Sequence, residues 1–286
     1  MKPAAFEYHR VDTVEDALAR LGELGEDAKL LAGGQSIVPM MNFRIVRPPA
    51  LVDISRVPDL DYIAPDGDGL RVGALTLHRE IEHADDGLLD GFGVLKAAAP
   101  LVGHMPIRSR GTFGGSVAHG DPSAEWCMLT LLLDGEIVAR SAEGERVIAA
   151  SDFFMGFFTT ALEPGDILTE VRFARPLRQA AIEEFARRHG DFAIVAVAAG
   201  VESEDGTCRR TRVVVGGVDE VPLRVEAAEE ILLGSDLGQE AIEEAAQVAA
   251  GEVEPASDIH GSAGYRKQLT AVLLRRALRK AMGDGH

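Results

Sequence analysis

The stretch Lys29-Leu30-Leu31-Ala32-Gly33-Gly34-Gln35-Ser36 constrains this chain more than any other. An apolar run that reads as a short buried strand ends in two consecutive glycines and a polar pair, and a new apolar segment opens at Ile37. Glycine admits positive φ and lets backbone N–H groups come close to a ligand. Successive amides exposed at the start of a helix make a concave site suited to an anion such as a diphosphate. Gly-Gly after a strand is also an ordinary turn, so this stretch by itself leaves both readings open.

A second stretch repeats the device. Gly111-Thr112-Phe113-Gly114-Gly115-Ser116 is followed by Val117-Ala118-His119-Gly120-Asp121-Pro122-Ser123-Ala124-Glu125, with a hydroxyl residue, paired glycines and downstream carboxylates in the same order. Two such loops can clamp one long diphosphate ligand from two sides. Together with Leu51-Val52-Asp53-Ile54, Gly165-Asp166-Ile167-Leu168 and Gly190-Asp191-Phe192-Ala193, these runs resemble the FAD-binding medium subunits of molybdenum hydroxylases, of the carbon monoxide dehydrogenase type, over nearly the whole chain.

The resemblance implies an α+β protein. A two-subdomain FAD-binding fold like that of p-cresol methylhydroxylase and vanillyl-alcohol oxidase is followed by an α+β domain of three antiparallel strands and three helices. The expected segments are 1–56, 57–176 and 177–286. The implied noncovalent FAD is contacted by Lys29, Leu30, Leu31, Ala32, Gly33, Gly34, Gln35 and Ser36, by Val102, and by Gly111, Thr112, Phe113, Gly114, Gly115, Ser116, His119, Asp121 and Glu125. Leu168 resembles the apolar residue that packs on the flavin ring, although strand packing explains it equally well. Noncovalent attachment follows from Gln35, which stands where some related folds carry a linking histidine. Glu125 aligns with an acid that binds the adenosine ribose, the family more often having Asp; its plain alternative is a capping charge in a helix first turn, about 0.3–1 kcal/mol. His119 either reaches a phosphate or holds the Ala118–Pro122 turn, and Phe113 either lines the loop or packs behind it. After Phe185 some relatives place a Lys near the flavin; here Ala186 is followed by Arg187 and Arg188.

The remaining letters exclude other chemistries. Gly91-Phe92-Gly93-Val94-Leu95-Lys96 imitates half of a dinucleotide fingerprint but lacks the third glycine and follows no strand, so it reads as a helix interruption. Gly114-Gly115-Ser116-Val117-Ala118 misses the hydrolase elbow at Ala118. There is no phosphate-binding Walker loop, no His-Glu-x-x-His helix, and the eight histidines show no ligand spacing. A four-thiolate iron–sulfur cluster is impossible with two cysteines, Cys127 and Cys208. Cys127 reads as a buried structural thiol, Cys208 as an exposed thiol in a polar turn. The formal charge of −17 disfavours nucleic acid and anionic membranes as partners. No run approaches the roughly 18 apolar residues of a membrane span, and Met1-Lys2-Pro3 opens no secretory leader, so a cytoplasmic protein is expected.

Along the chain, Thr13 caps a helix over Val14–Leu24 stopped by Gly25, with Val14, Leu18, Leu21 and Leu24 on one face. Strands at Phe6–Val11, Ala28–Leu31 and Leu51–Ile54 complete a βαβ unit. Strands at Tyr62–Ala64 and Leu70–Val72 follow, then helices at Leu77–His83, Leu88–Ala99 and Ala124–Leu133, a hairpin of Glu136–Ala139 and Glu145–Ile148, and a strand at Ile167–Phe173. The last third predicts strands Glu183–Arg187, Ile194–Glu202 and Arg209–Val215, then helices Arg224–Leu233, Gln239–Ala250 and Gly264–Met282. On that last helix Tyr265, Leu269, Val272 and Leu273 form an apolar face flanked by Arg266, Lys267, Arg275, Arg276, Arg279 and Lys280, which either docks a partner or caps its own domain.

The function implied is that of an FAD-carrying electron-transfer subunit. It accepts electrons from 2Fe–2S clusters on a small iron–sulfur subunit, serves a large molybdopterin subunit in a dimer of heterotrimers, and delivers to an external acceptor. A self-sufficient flavin oxidase or a flavin-free scaffold are the alternatives.

Overall fold

The structure, a computed structural model, describes residues 2–283; Met1 and residues 284–286, the ends of the first and last expected segments, lie outside the described residues. The chain opens with strand β1 (Glu7–Arg10), helix α1 (Val14–Leu24), β2 (Lys29–Leu31), α2 (Ile37–Asn42) and β3 (Ala50–Asp53). These strands form a parallel sheet in the order β1-β3-β2, with Tyr8 opposite Leu51 and Leu30 opposite Val52. Helix α1 starts where Thr13 Oγ1 accepts from the Asp16 amide at 3.0 Å, and Gly25 ends it at φ 81°. Its inward face is Val14, Ala17 and Leu21; Leu18 and Leu24 lie at the margin. Central β3 is buried along its whole length, as a parallel strand covered on both faces must be.

The middle of the chain contains β4 (Ile63–Asp66), β5 (Gly69–Gly73), α3 (His78–Glu82), α4 (Gly93–Ala98), α5 (Met105–Arg108), α6 (Phe113–His119), α7 (Glu125–Leu132), β6 (Glu136–Ser141), β7 (Gly144–Ala149), α8 (Ala150–Phe153), β8 (Phe154–Gly156), β9 (Thr159–Thr160) and β10 (Ile167–Phe173). Five of these strands make an antiparallel sheet, β4-β5-β10-β6-β7. Helix α7 is apolar on every side and buried from Trp126 to Leu132, so it is the core around which the middle packs. The helix expected from Leu88 begins only at Gly93. Residues 88–92 form turns because Gly91, at φ 80°, lies against Pro176 and its carbonyl accepts from Leu177 N at 2.9 Å.

The last part is a four-stranded antiparallel sheet, β11 (Gln179–Phe185), β12 (Val195–Glu204), β13 (Thr207–Gly216) and β14 (Leu223–Arg224), covered by α9 (Glu226–Leu232), α10 (Gln239–Glu252) and α11 (Ala263–Ala281). The fourth strand corrects the expected three: two residues are too few to show alternation, yet Val215 pairs with Leu223. The first strand starts four residues earlier than expected, because Gln179–Ile182, poor in β-branched residues, pairs with Ala198–Val201 of β12. Alternation divides β12 between two cores. Ala196 and Ala198 face α7, whereas Val195, Val197 and Ala199 face the helices. Cys208 is 1% exposed on β13, not in an exposed turn; the turn is Asp205-Gly206, and the thiol, raised by burial, points into the core. The α11 face carrying Leu269, Leu273 and Leu274 is buried in its own core, and Arg275 and Lys280 pair with Glu243 and Glu183.

Candidate functional site

The first glycine loop leaves β2 at Leu31, whose carbonyl accepts from Ile54 N at 3.0 Å. Gly34 has φ 74°, and an added Cβ would come to 3.2 Å of Leu31 Cδ1 and 3.3 Å of Val38 Cγ2. The Gln35 amide side chain donates to Gly33 O at 3.0 Å, so it braces the loop from within. Among the described residues none accepts a hydrogen bond from the backbone N–H of Gly33, Gly34, Gln35 or Ser36. A run of unpaired, partly exposed amides leading into α2 is able to receive an anion. Lys29 is exposed at the start of β2, while Leu30, Leu31 and Ala32 are partly buried.

The second loop is built differently. Its amides are engaged: Phe113 N donates to Thr76 O at 2.9 Å, Gly114 N to Ala74 O at 3.0 Å, Gly115 N to Thr112 Oγ1 at 3.2 Å, and Ser116 N to Thr112 O at 3.1 Å. Its glycines answer close packing. A Cβ on Gly114 would lie 2.5 Å from Ala74 Cα, and one on Gly115 would lie 2.5 Å from Thr112 Oγ1. Gly115 is nevertheless exposed, so this loop offers a bare surface and the Ser116 hydroxyl rather than a row of free donors.

The two loops touch. A Cβ on Gly33 would run into the Arg110 carbonyl oxygen and approach Gly111 Cα to 2.8 Å, and one on Gly115 would meet Ala32 Cβ at 3.8 Å. Behind them stands a buried wall. Phe113, fully buried, packs edge-on against Trp126 at 5.3 Å, the second of the two readings left open for it. Trp126 Nε1 donates to His78 Nδ1 at 2.9 Å, which places the neutral imidazole's proton on Nε2. Burial, then the positive charge of Arg108, push His78 down to about 4, so the ring is neutral at ordinary pH.

Beside the loops lies a group of carboxyls. Glu125 opens α7, where the helix dipole favours its charge, but burial and the charges of Glu184 and Asp121 prevail and raise it to about 8. Burial, followed by Glu183, raises Glu184 to about 7, and burial raises Asp121 although its carboxylate accepts from Ser123 N at 2.8 Å. Glu184 comes from β11, so the last sheet contributes to this place. A carboxyl that gains hydroxyl donors would be returned toward its ionised form. His119 stacks on Phe158 at 4.8 Å beside the β8–β9 hairpin. Val102 and Leu168 are buried in the middle core. Sequence reasoning missed His78, Ala74 and Glu184; each acts through a tertiary contact that no local spacing announces. Among the described residues no cluster of His, Cys, Asp or Glu is arranged to hold a metal ion, and no helix is long and apolar enough to cross a membrane.

This geometry has close counterparts among known proteins. Residues 4–176 match the family described as FAD binding domain in molybdopterin dehydrogenase, and residues 180–281 match the CO dehydrogenase flavoprotein C-terminal domain. The chain is 40% identical to subunit alpha of the 6-hydroxypseudooxynicotine dehydrogenase complex of Paenarthrobacter nicotinovorans, over 99% of this chain and 96% of that protein. It is similar, at TM-score 0.95 and 35% identity over 100% of both chains, to a solved structure of the carbon monoxide dehydrogenase of Hydrogenophaga pseudoflava. Quinoline 2-oxidoreductase of Pseudomonas putida 86 matches at TM-score 0.94 and 34% identity, again over 100% of both chains.

Proposed function

Because this chain belongs to the family of FAD-binding medium subunits of molybdenum hydroxylases, we propose that it is the electron-transfer subunit of such an enzyme. It accepts electrons from 2Fe–2S clusters on a small partner subunit and passes them to an external acceptor, while a large molybdopterin subunit acts on the substrate. The observation that carries this reading is the run of unpaired amides at Gly33–Ser36 held against the second glycine loop. The fit to FAD is good at each part. The free amides suit the diphosphate, exposed Gly115 and partly buried Ser116 allow close approach from the other side, and the raised carboxyl of Glu125 suits ribose hydroxyls. Bound FAD supplies conversion between one-electron and two-electron transfer. The chain's own residues bind and orient it, and Gln35, occupied with Gly33 O, leaves attachment noncovalent.

The three larger sheets support division into units 1–56, 57–176 and 177–286, the first two gripping the cofactor. A dimer of heterotrimers in the cytoplasm completes the proposal. It is tested by titrating flavin-free protein with FAD, FMN and ADP-ribose. Tight FAD binding, weaker ADP-ribose binding and little affinity for FMN are expected. Equal affinity for FMN and FAD would overturn the diphosphate assignment, and no flavin binding at all would leave a scaffold.

A further inference from the structure

Resting on the FAD reading, we propose that His78 is a positioning residue: its imidazole, oriented by Trp126, backs Gly111 and sets how closely the second glycine loop approaches the first. Three contacts form one line through the molecule. Trp126 Nε1 donates to His78 Nδ1 at 2.9 Å, with both side chains buried. The edge of that ring lies so near Gly111 that an added Cβ would stand 2.5 Å from Nε2 and 2.7 Å from Cδ2. Gly111 in turn sits where a Cβ on Gly33 would come to 2.8 Å of its Cα. The backbone repeats the coupling, since His78 N donates to Gly111 O at 3.1 Å and Leu77 bridges to Thr112.

A ring free to rotate would move the wall against which Gly111 rests. The acceptor on Nδ1 removes that freedom, because turning the ring would leave the indole N–H of a fully buried Trp126 without a partner. His78 is buried and faces the position an added Gly111 Cβ would take, so Gly111 is the contact through which it bears on the first loop. The nearby ion pair of Arg108 with Glu82 holds α5 to α3 and keeps the frame of this wall in place.

The test uses the full chain and two readouts other than activity: FAD affinity of flavin-free protein, and fluorescence of Trp126, the single tryptophan. Wild type should show quenching of Trp126 on FAD addition; its absence would defeat the FAD reading and not this inference. Gly111→Ala drives a methyl into the imidazole and should weaken FAD about tenfold. Combining it with His78→Asn, which keeps an acceptor for Trp126 and removes Nε2, the nearer of the two clashing ring atoms, should recover part of the lost affinity. His78→Phe keeps a ring but leaves the buried indole N–H unpaired, so it should shift Trp126 emission, lower the melting temperature of the flavin-free protein, and weaken FAD about tenfold when binding is measured well below that temperature. Strict additivity of the double variant, or wild-type FAD affinity in His78→Phe, would overturn the proposal. If Gly111→Ala does not fold, the affinity of His78→Phe decides alone.

Discussion

Gly33 and Gly111 lie backbone to backbone: a Cβ on Gly33 would strike the Arg110 carbonyl and come to 2.8 Å of Gly111 Cα. Two loops, one leaving β2 and one joining α5 to α6, are thus closed on each other at glycines. Gly33→Ala should force them apart and weaken FAD binding at least about tenfold, roughly 1.4 kcal/mol. Isothermal titration of the flavin-free variant measures this, and wild-type affinity would show that the contact does not shape the site.

Glu125 gives a pH signature. Its folded value, raised mainly by burial to about 8, lies above the unfolded value, so its contribution to stability is intact below about pH 4.5 and lost as pH rises through 8. Glu125→Gln cannot ionise. In flavin-free protein it should melt with wild type at pH 4.5 and above it at pH 8.5. Parallel melting curves across that range would refute the assignment. FAD, by giving the carboxylate hydroxyl partners, should shrink the difference.

Asp134 joins the middle of the chain to the last sheet. Burial works against its charge, yet Arg212, with bonds of 3.0 to 3.2 Å, and Arg210, at 3.1 Å, hold the carboxyl below its ordinary value. Asp134→Asn keeps the left-handed backbone (φ 50°) and removes the charge. A loss of roughly 0.5–1 kcal/mol is expected at pH 7, because Asp134 is 41% exposed and Arg210 keeps Glu202 at 2.9 Å while Arg212 keeps Glu229 at 3.7 Å. Because the carboxyl is depressed, that difference should fade as pH drops below about 4. Chemical denaturation at pH 7 and pH 3 checks both statements.

Local signals were legible in the sequence wherever the causes were local. Thr13 and Gly25 bound α1, and the apolar run from Trp126 to Leu132 announced a buried helix. The two glycine loops were legible as a pair, but their difference was not. Gly114 and Gly115 look like free amide donors in the letters, whereas Ala74 O and Thr112 Oγ1, brought up by the fold, occupy them. Cys208 misled because one residue of register separates the Asp205-Gly206 turn from an inward strand position. His78 carried no signal at all, since a lone histidine acquires its meaning from Trp126 and Gly111 across the fold.

Gln35 makes the mode of attachment testable. With its side chain bonded to Gly33 O and no histidine in that place, acid precipitation should release all the flavin as FAD to the supernatant. Yellow colour retained in the pellet would contradict noncovalent binding. Gly34→Asp, which puts a charged side chain at φ 74° among the free amides, should purify colourless while keeping a cooperative melt.

The relay role is tested most directly by anaerobic stopped-flow at the flavin absorbance. FAD-loaded chain alone should be bleached by a chemical reductant and reoxidised by a dye, yet stay oxidised when mixed with heterocycles, aldehydes or carbon monoxide. Adding the iron–sulfur and molybdopterin subunits should make one of those substrates bleach it. Rapid bleaching of the lone chain by any of them would contradict the account and make this protein a self-sufficient oxidase.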